Sequence, residues 1–234
     1  MSAGVQPPRL VIFDCDGVLV DTEALGNRQL AAWLTQAGFP IGYEDCRRRF
    51  VGRSMASVQA EVEAEGVPLG ADFVERWNQA LPALFAAGVE PVPNVRAVIE
   101  AVRDAGLAWC VASSARVSKM MITLGATGLL PLFEGRMFSA TMVARGKPFP
   151  DLFLHAAATM GFASADCVVI EDSVAGTKAG IAAGMRVFSY CGDPFNDRAE
   201  LEAAGGIAFD DMRLLSGMIG LEQSSRFAGA PVGA

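Results

Sequence analysis

The chain has 234 residues, 52% of them hydrophobic, enough apolar material for a sizeable core in one domain or in one domain carrying an insert. A formal net charge of −7 argues against a broad nucleic-acid footprint, and no run of about 18 apolar residues is present to span a membrane. The opening MSAGVQPPRLVIF lacks the basic, apolar and small-residue order of a secretory signal, and five scattered cysteines form no C-x-x-C pair. The expectation is a cytoplasmic enzyme with reduced thiols, a monomer or small homo-oligomer, with no nucleic-acid or membrane partner.

In chain order, Leu10-Val11-Ile12-Phe13 reads as a buried strand. Residues 22–90 then carry helical patterns and no convincing strand. A helix over 21–38 places Leu30, Leu34 and Ala37 on one face, and another begins at Ser54 with Met55, Val58 and Val62. A third begins at Asp72, where Glu75 offers a capping box and Pro82 a kink. The stretch GVEPVP, 88–93, reads as a hinge back into the sheet. Asn94 is placed to cap a helix carrying Val95, Val98, Ile99 and Val102 and closed by Gly106.

Further apolar runs, 107–112, 136–139, 168–170 and 185–190, alternate with helices beginning near Pro150 and Ser173. Such alternation means a Rossmann-like, doubly wound parallel α/β sheet, formed by residues 1–21 and 91–220 and interrupted by an α-helical insert over 22–90. Residues 221–234, ending in FAGAPVGA, are expected to be disordered.

Polar groups end three of the strands: Asp14-Cys15-Asp16-Gly17, Ser113-Ser114 and Glu171-Asp172-Ser173. Ligands bind beyond the carboxyl ends of strands in open parallel sheets, so these groups are expected to converge. Residues i and i+2 of an extended segment face the same way, which turns Asp14 and Asp16 to the site and Cys15 to the core. Four carboxylates in one place, Asp14, Asp16, Glu171 and Asp172, call for a cation, and hard oxygens beside a phosphate point to Mg²⁺. A calcium loop is disfavoured because Gly17 comes too early and position 18 is Val. Lys147, one of three lysines, lies in GKPFPDLF and is placed to balance charge at the carboxylates.

FDCDGVLVDTE (13–23), CVASSA (110–115), GKPFPDLF (146–153) and VIEDSVAGTKAG (169–180) together resemble the four motifs of the haloacid dehalogenase superfamily, in its phosphatase-like branch with a helical cap. The resemblance implies a small phosphorylated substrate, with Asp14 as nucleophile and Asp16 as general acid and base. It makes Ser113 and Ser114 phosphoryl contacts and Lys147 the charge balance. Mg²⁺ would be held by Asp14, the backbone carbonyl of Asp16, Asp172 and, through water, Glu171. Within the family the chain looks most like bacterial sugar-phosphate phosphatases, including those acting on 6-phosphogluconate.

Dehalogenation is disfavoured by Asp16 and the Glu171-Asp172 pair, and phosphonate cleavage by the absence of lysine from 22–90. The alternatives are a phosphosugar mutase or an inactive metal- or phosphate-binding protein. The resembling mutases carry a histidine where this chain has Gly26, and the sole histidine, His155, reads as structural. The basic run Arg47-Arg48-Arg49 has a plain reading as a helix end that favours cations. The loop over 49–54 is the expected cap segment at the site, with Arg53 pairing an anionic group of the substrate.

Overall fold

The computed structural model describes residues 8–50 and 53–221; the expected tail from 222 onward and the loop glycine at 52 lie outside them. Strand β1 (Leu10–Phe13) leads to the short β2 (Val20–Asp21), helices α1 (Thr22–Gln36), α2 (Tyr43–Phe50), α3 (Met55–Ala64) and α4 (Phe73–Gly88), and β3 (Glu90–Pro91). Then come α5 (Val95–Asp104), β4 (Ala108–Ser113), α6 (Val117–Ala126), α7 (Leu130–Phe133), β5 (Met137–Ser139) and α8 (Asp151–Met160). The chain continues through β6 (Cys167–Glu171), α9 (Val174–Ala182), β7 (Arg186–Tyr190), α10 (Arg198–Ala203), β8 (Ile207–Phe209) and α11 (Met212–Met218). No helix among the described residues is long and apolar enough to cross a membrane.

Six strands form one parallel sheet in the order β5-β4-β1-β6-β7-β8, so the polar ends of β4, β1 and β6 are neighbours. The sheet is apolar on both faces because helices cover both. Val11 and Phe13 point into the cluster under α5, α6 and α11, while Leu10 and Ile12 point into the cluster under α8 and α9. Each is wholly buried, and full burial of such a side chain is worth roughly 1.5–3 kcal/mol. The central strand is therefore clamped from both sides, and whatever ends it inherits that rigidity.

Helices α1–α4 pack round an apolar cluster of their own that includes Leu30, Leu34, Cys46, Phe50, Val58, Val62, Phe73 and Trp77. Trp33 stands edge-on to Trp77, with ring centroids 5.6 Å apart. Ala37 lies past the end of α1 and is exposed, so it is not part of that face. Ser54 caps α3 by accepting from the Ser57 amide, as its position predicts. Asp72 does not cap α4; its carboxylate pairs with Arg76 instead, and Pro82 sits inside that helix. Asn94 adopts a left-handed backbone at φ 67° and makes no side-chain cap to α5.

The segment read as a plain hinge contains β3, which pairs antiparallel with β2, Val20 opposite Pro91 and Asp21 opposite Glu90. The two chain crossings between sheet and insert are thus tied to each other as a ribbon. His155 packs edge-on against Phe138 at 5.7 Å, a structural contact. All five cysteines are free, and Cys15 is buried in the core as the alternation of β1 requires.

Candidate active site

β1 ends at Phe13, and the next residue, Asp14, still donates its amide to the Ile170 carbonyl of β6 at 2.8 Å. The main chain therefore sets where its carboxylate stands. A cavity of roughly 1100 Å³ opens over this edge of the sheet. Asp14, Asp16, Ser113, Ser114, Glu171 and Asp172 from the strand ends all line it together with Lys147 from the loop before α8.

Lys147 is buried, and its ammonium donates to Asp14 Oδ1 at 2.5 Å and also binds Glu171. Burial alone would favour the neutral amine. The two flanking carboxylates outweigh it and hold the lysine charged, above its ordinary value. Burial pushes Asp14 up to about 7, with Lys147 pulling it down and Glu171 adding to the rise. Asp172 is held well above the carboxylate range by burial first and then by the charges of Glu171 and Asp14.

Glu171 is wholly buried and fully engaged. Its Oε2 accepts from the amides of Asp172 and Ser173 and from the Ser173 hydroxyl, each at 2.9 Å, and Oε1 accepts from Lys147. A Cβ at Gly176 would stand 1.8 Å from that carboxylate, so only glycine leaves it room. Gly17 serves Asp172 alike: its φ is +81°, and a Cβ there would meet Asp172 Oδ2 at 1.9 Å.

Oxygens of Asp14, Glu171 and Asp172 lie within 4.8 Å of one another. They fit a hard divalent cation. Lys147 alone is too little charge for three carboxylates, and among the described residues nothing donates a hydrogen bond to the Asp172 carboxylate or to Asp14 Oδ2. The Asp16 carboxylate is not in this group. Its Oδ1 accepts from Thr22 Oγ1 at 2.7 Å and its Oδ2 from Lys119 Nζ at 2.9 Å. Ser113 Oγ accepts from the Ala115 amide at 3.1 Å, which leaves its proton free to donate into the cavity.

Arg53 is not brought to the cavity. Its guanidinium turns along α3, donating to Ser57 Oγ at 2.7 Å and pairing with Glu61, because those partners lie four and eight residues on, along the same helix. Arg49 likewise pairs with Glu61 at 2.6 Å. The insert instead faces the cavity with Arg28 of α1 and with Tyr43, Arg47 and Arg48 of α2. Lys119 was equally outside the expected set. It lies in the first turn of the helix after β4, where a helix start meets the crevice, and that placement was the available signal. Its ammonium also rests over the Phe85 ring of α4 at 5.1 Å.

The α/β sheet gathers three carboxylates round a buried lysine at the end of its central strand, an arrangement able to hold a divalent cation and a phosphoryl group side by side. The haloacid dehalogenase-like hydrolase family model matches residues 8–184. The 6-phosphogluconate phosphatase of Escherichia coli K12 is 35% identical over 188 residues, 80% of this chain and 84% of that protein. A haloacid dehalogenase-like protein from Agrobacterium tumefaciens superposes with a TM-score of 0.80 at 33% identity, covering 90% of this chain and 97% of that one. A family hydrolase from Deinococcus radiodurans with bound phosphate and sodium gives a TM-score of 0.82 at 28% identity, covering 92% and 97%. The chain belongs to the haloacid dehalogenase-like hydrolases, and it is a phosphoric monoester hydrolase.

Proposed function

We propose that the protein is a Mg²⁺-dependent phosphatase of sugar phosphates or sugar-acid phosphates that works through an aspartyl-phosphate on Asp14. One observation carries this reading. Asp14 has one carboxylate oxygen bound by Lys147 while Oδ2 receives no hydrogen bond among the described residues and belongs to a cavity-lining side chain. Such an oxygen is oriented for attack and free to make it.

In this reading Asp14 Oδ2 attacks phosphorus as the ester P–O bond breaks, and Asp16, protonated once substrate has drawn it from Lys119, gives that proton to the departing oxygen. Asp16 then takes a proton from water, the water oxygen bonds to phosphorus, and the Asp14–phosphorus bond breaks to release inorganic phosphate. Lys147 and Ser113 hold the equatorial oxygens, with Ser114 at the rim, and Lys147 keeps Asp14 in line. Mg²⁺ would be held by Asp14, Asp172 and the Asp16 carbonyl and, through water, by Glu171, which also fixes the segment behind them. When bound it supplies a Lewis acid for the phosphoryl oxygens and charge to offset the carboxylates. Residues 22–90 act as a cap that excludes water, and the sugar preference is supported by the name of the Escherichia coli relative. Free, mostly buried thiols support a cytoplasmic setting.

Phosphate release from a panel of phosphorylated metabolites, with Mg²⁺ and with chelator, tests the reading. Metal-dependent release led by one sugar or sugar-acid phosphate is expected. Release from none of them, or release indifferent to chelator, would sink it.

A further inference from the structure

The insert's wall of the cavity is arranged round one buried guanidinium. Arg47, in the last turn of α2, has a side chain only 2% exposed. Its Nη2 donates to Asp193 Oδ2 at 2.8 Å, and its Nη1 to the Tyr43 hydroxyl at 3.3 Å. The Phe195 ring lies 4.6 Å from its Cζ and fixes the guanidinium plane. Its Nε is buried and has no hydrogen-bond partner among the described residues.

The unused donor is informative because of where it sits. The N–H groups of Nε and Nη2 run parallel along one edge of the guanidinium and together match the two oxygens of a single carboxylate. Asp193 uses only one of them. Its other oxygen, Oδ1, accepts from the Phe195 amide at 2.9 Å, so its own loop holds it away from a two-point pairing. A buried ion pair contributes little to stability by itself, and a buried donor left unmade detracts from it. Stability alone therefore does not account for the unused donor, and Arg47 and Asp193 line the same cavity as Asp14.

We propose that Arg47 is the specificity-determining residue of the cavity. Its Nε–Nη2 edge takes a carboxylate carried by the sugar chain remote from the phosphate, so that a phosphorylated sugar acid is selected over the neutral sugar phosphate. Asp193 neutralises the guanidinium in the empty cavity and competes with the incoming carboxylate for Nη2. This inference rests on the phosphatase reading above.

The test compares kcat/KM for gluconate 6-phosphate with that for glucose 6-phosphate, two esters that share a carbon chain and differ at the end remote from phosphate. The wild type prefers the acid. Arg47→Gln lowers the acid-to-sugar ratio at least about tenfold, mainly through KM for the acid, because a polar group built for one partner discriminates strongly. Asp193→Asn moves the ratio the other way by removing the competitor. A purely structural pair would instead make both variants lose activity on both esters alike. Thermal melting monitors folding, and if Arg47→Gln does not fold, Arg47→Lys and Asp193→Asn decide by the same ratio. A ratio that stays within about twofold of wild type in the arginine variant, or that falls in Asp193→Asn, overturns the inference. Wild-type turnover of aryl phosphate with no preference between the two sugars overturns it while leaving the phosphatase reading standing. Release from no ester at all removes both.

Discussion

The two walls of the cavity are built by opposite means. On the sheet side the main chain fixes the groups: the Asp14 amide is held by Ile170, and Glu171 is held by the backbone of Asp172 and Ser173. On the insert side, position depends on side-chain pairs such as Arg47 with Asp193 and Arg49 with Glu61. The insert also has an apolar cluster round its own helices, joined to a sheet-side cluster through Phe85, Val89 and Leu81 of the stretch that returns to the sheet. A wall set by backbone tolerates almost no change. A wall set by side-chain pairs tolerates more change. The groups at the end of the central strand are thus held by backbone, and the side chains facing them from the insert are held by one another and by Asp193.

The largest expected break of that contrast is Lys147→Met, which strips the charge between Asp14 and Glu171 and should lower kcat about 10²–10³-fold. Equal loss from any insert variant would blur the division; circular dichroism keeps misfolding apart from lost catalysis. Next in size is a thermal shift. Mg²⁺ at about 100 times its Kd should stabilise the protein by about 2.7 kcal/mol, a rise of roughly 5–10 °C for a chain of this size. Asp172→Asn should remove most of that rise, whereas Arg48→Ala on the opposite wall should leave it; a full rise in Asp172→Asn would exclude that carboxylate as a ligand. The smallest effect belongs to Arg53→Ala. With its guanidinium tied to Ser57 and Glu61, the expected change in kcat/KM for any sugar phosphate is no more than about twofold. A selective rise in KM for anionic substrates would move Arg53 into the recognition wall.

The same division governs what could be read from the sequence. Strands β1, β4, β6 and β7 were legible because a doubly covered parallel sheet leaves unbroken apolar runs, and their polar ends followed from strand direction. Asp14 and Asp172 were legible for that reason, and Lys147 from its place in GKPFPDLF, ahead of the helix that leads to β6. β8 was not: Ile207 is exposed at the sheet edge, and three residues give too short a pattern. The ribbon of β2 with β3 was hidden because two-residue strands carry no periodicity. Asp72 and Asn94 sat at helix starts, yet neither capped, since an Arg76 partner and a left-handed backbone won. Among the arginines, order along the chain pointed to the loop over 49–54. Which guanidinium crosses to the other wall is decided by tertiary pairing, and Asp193 lies 146 residues from Arg47.

The most direct measurement is reductive trapping during turnover. Borohydride added to the enzyme while it hydrolyses its best substrate with Mg²⁺ should reduce the acyl phosphate and convert Asp14 to homoserine, read by peptide mass spectrometry. The product should be absent without substrate and absent in Asp14→Asn. An unmodified Asp14 under full turnover, or trapping at another carboxylate, would contradict the central claim that Asp14 carries the phosphoryl group.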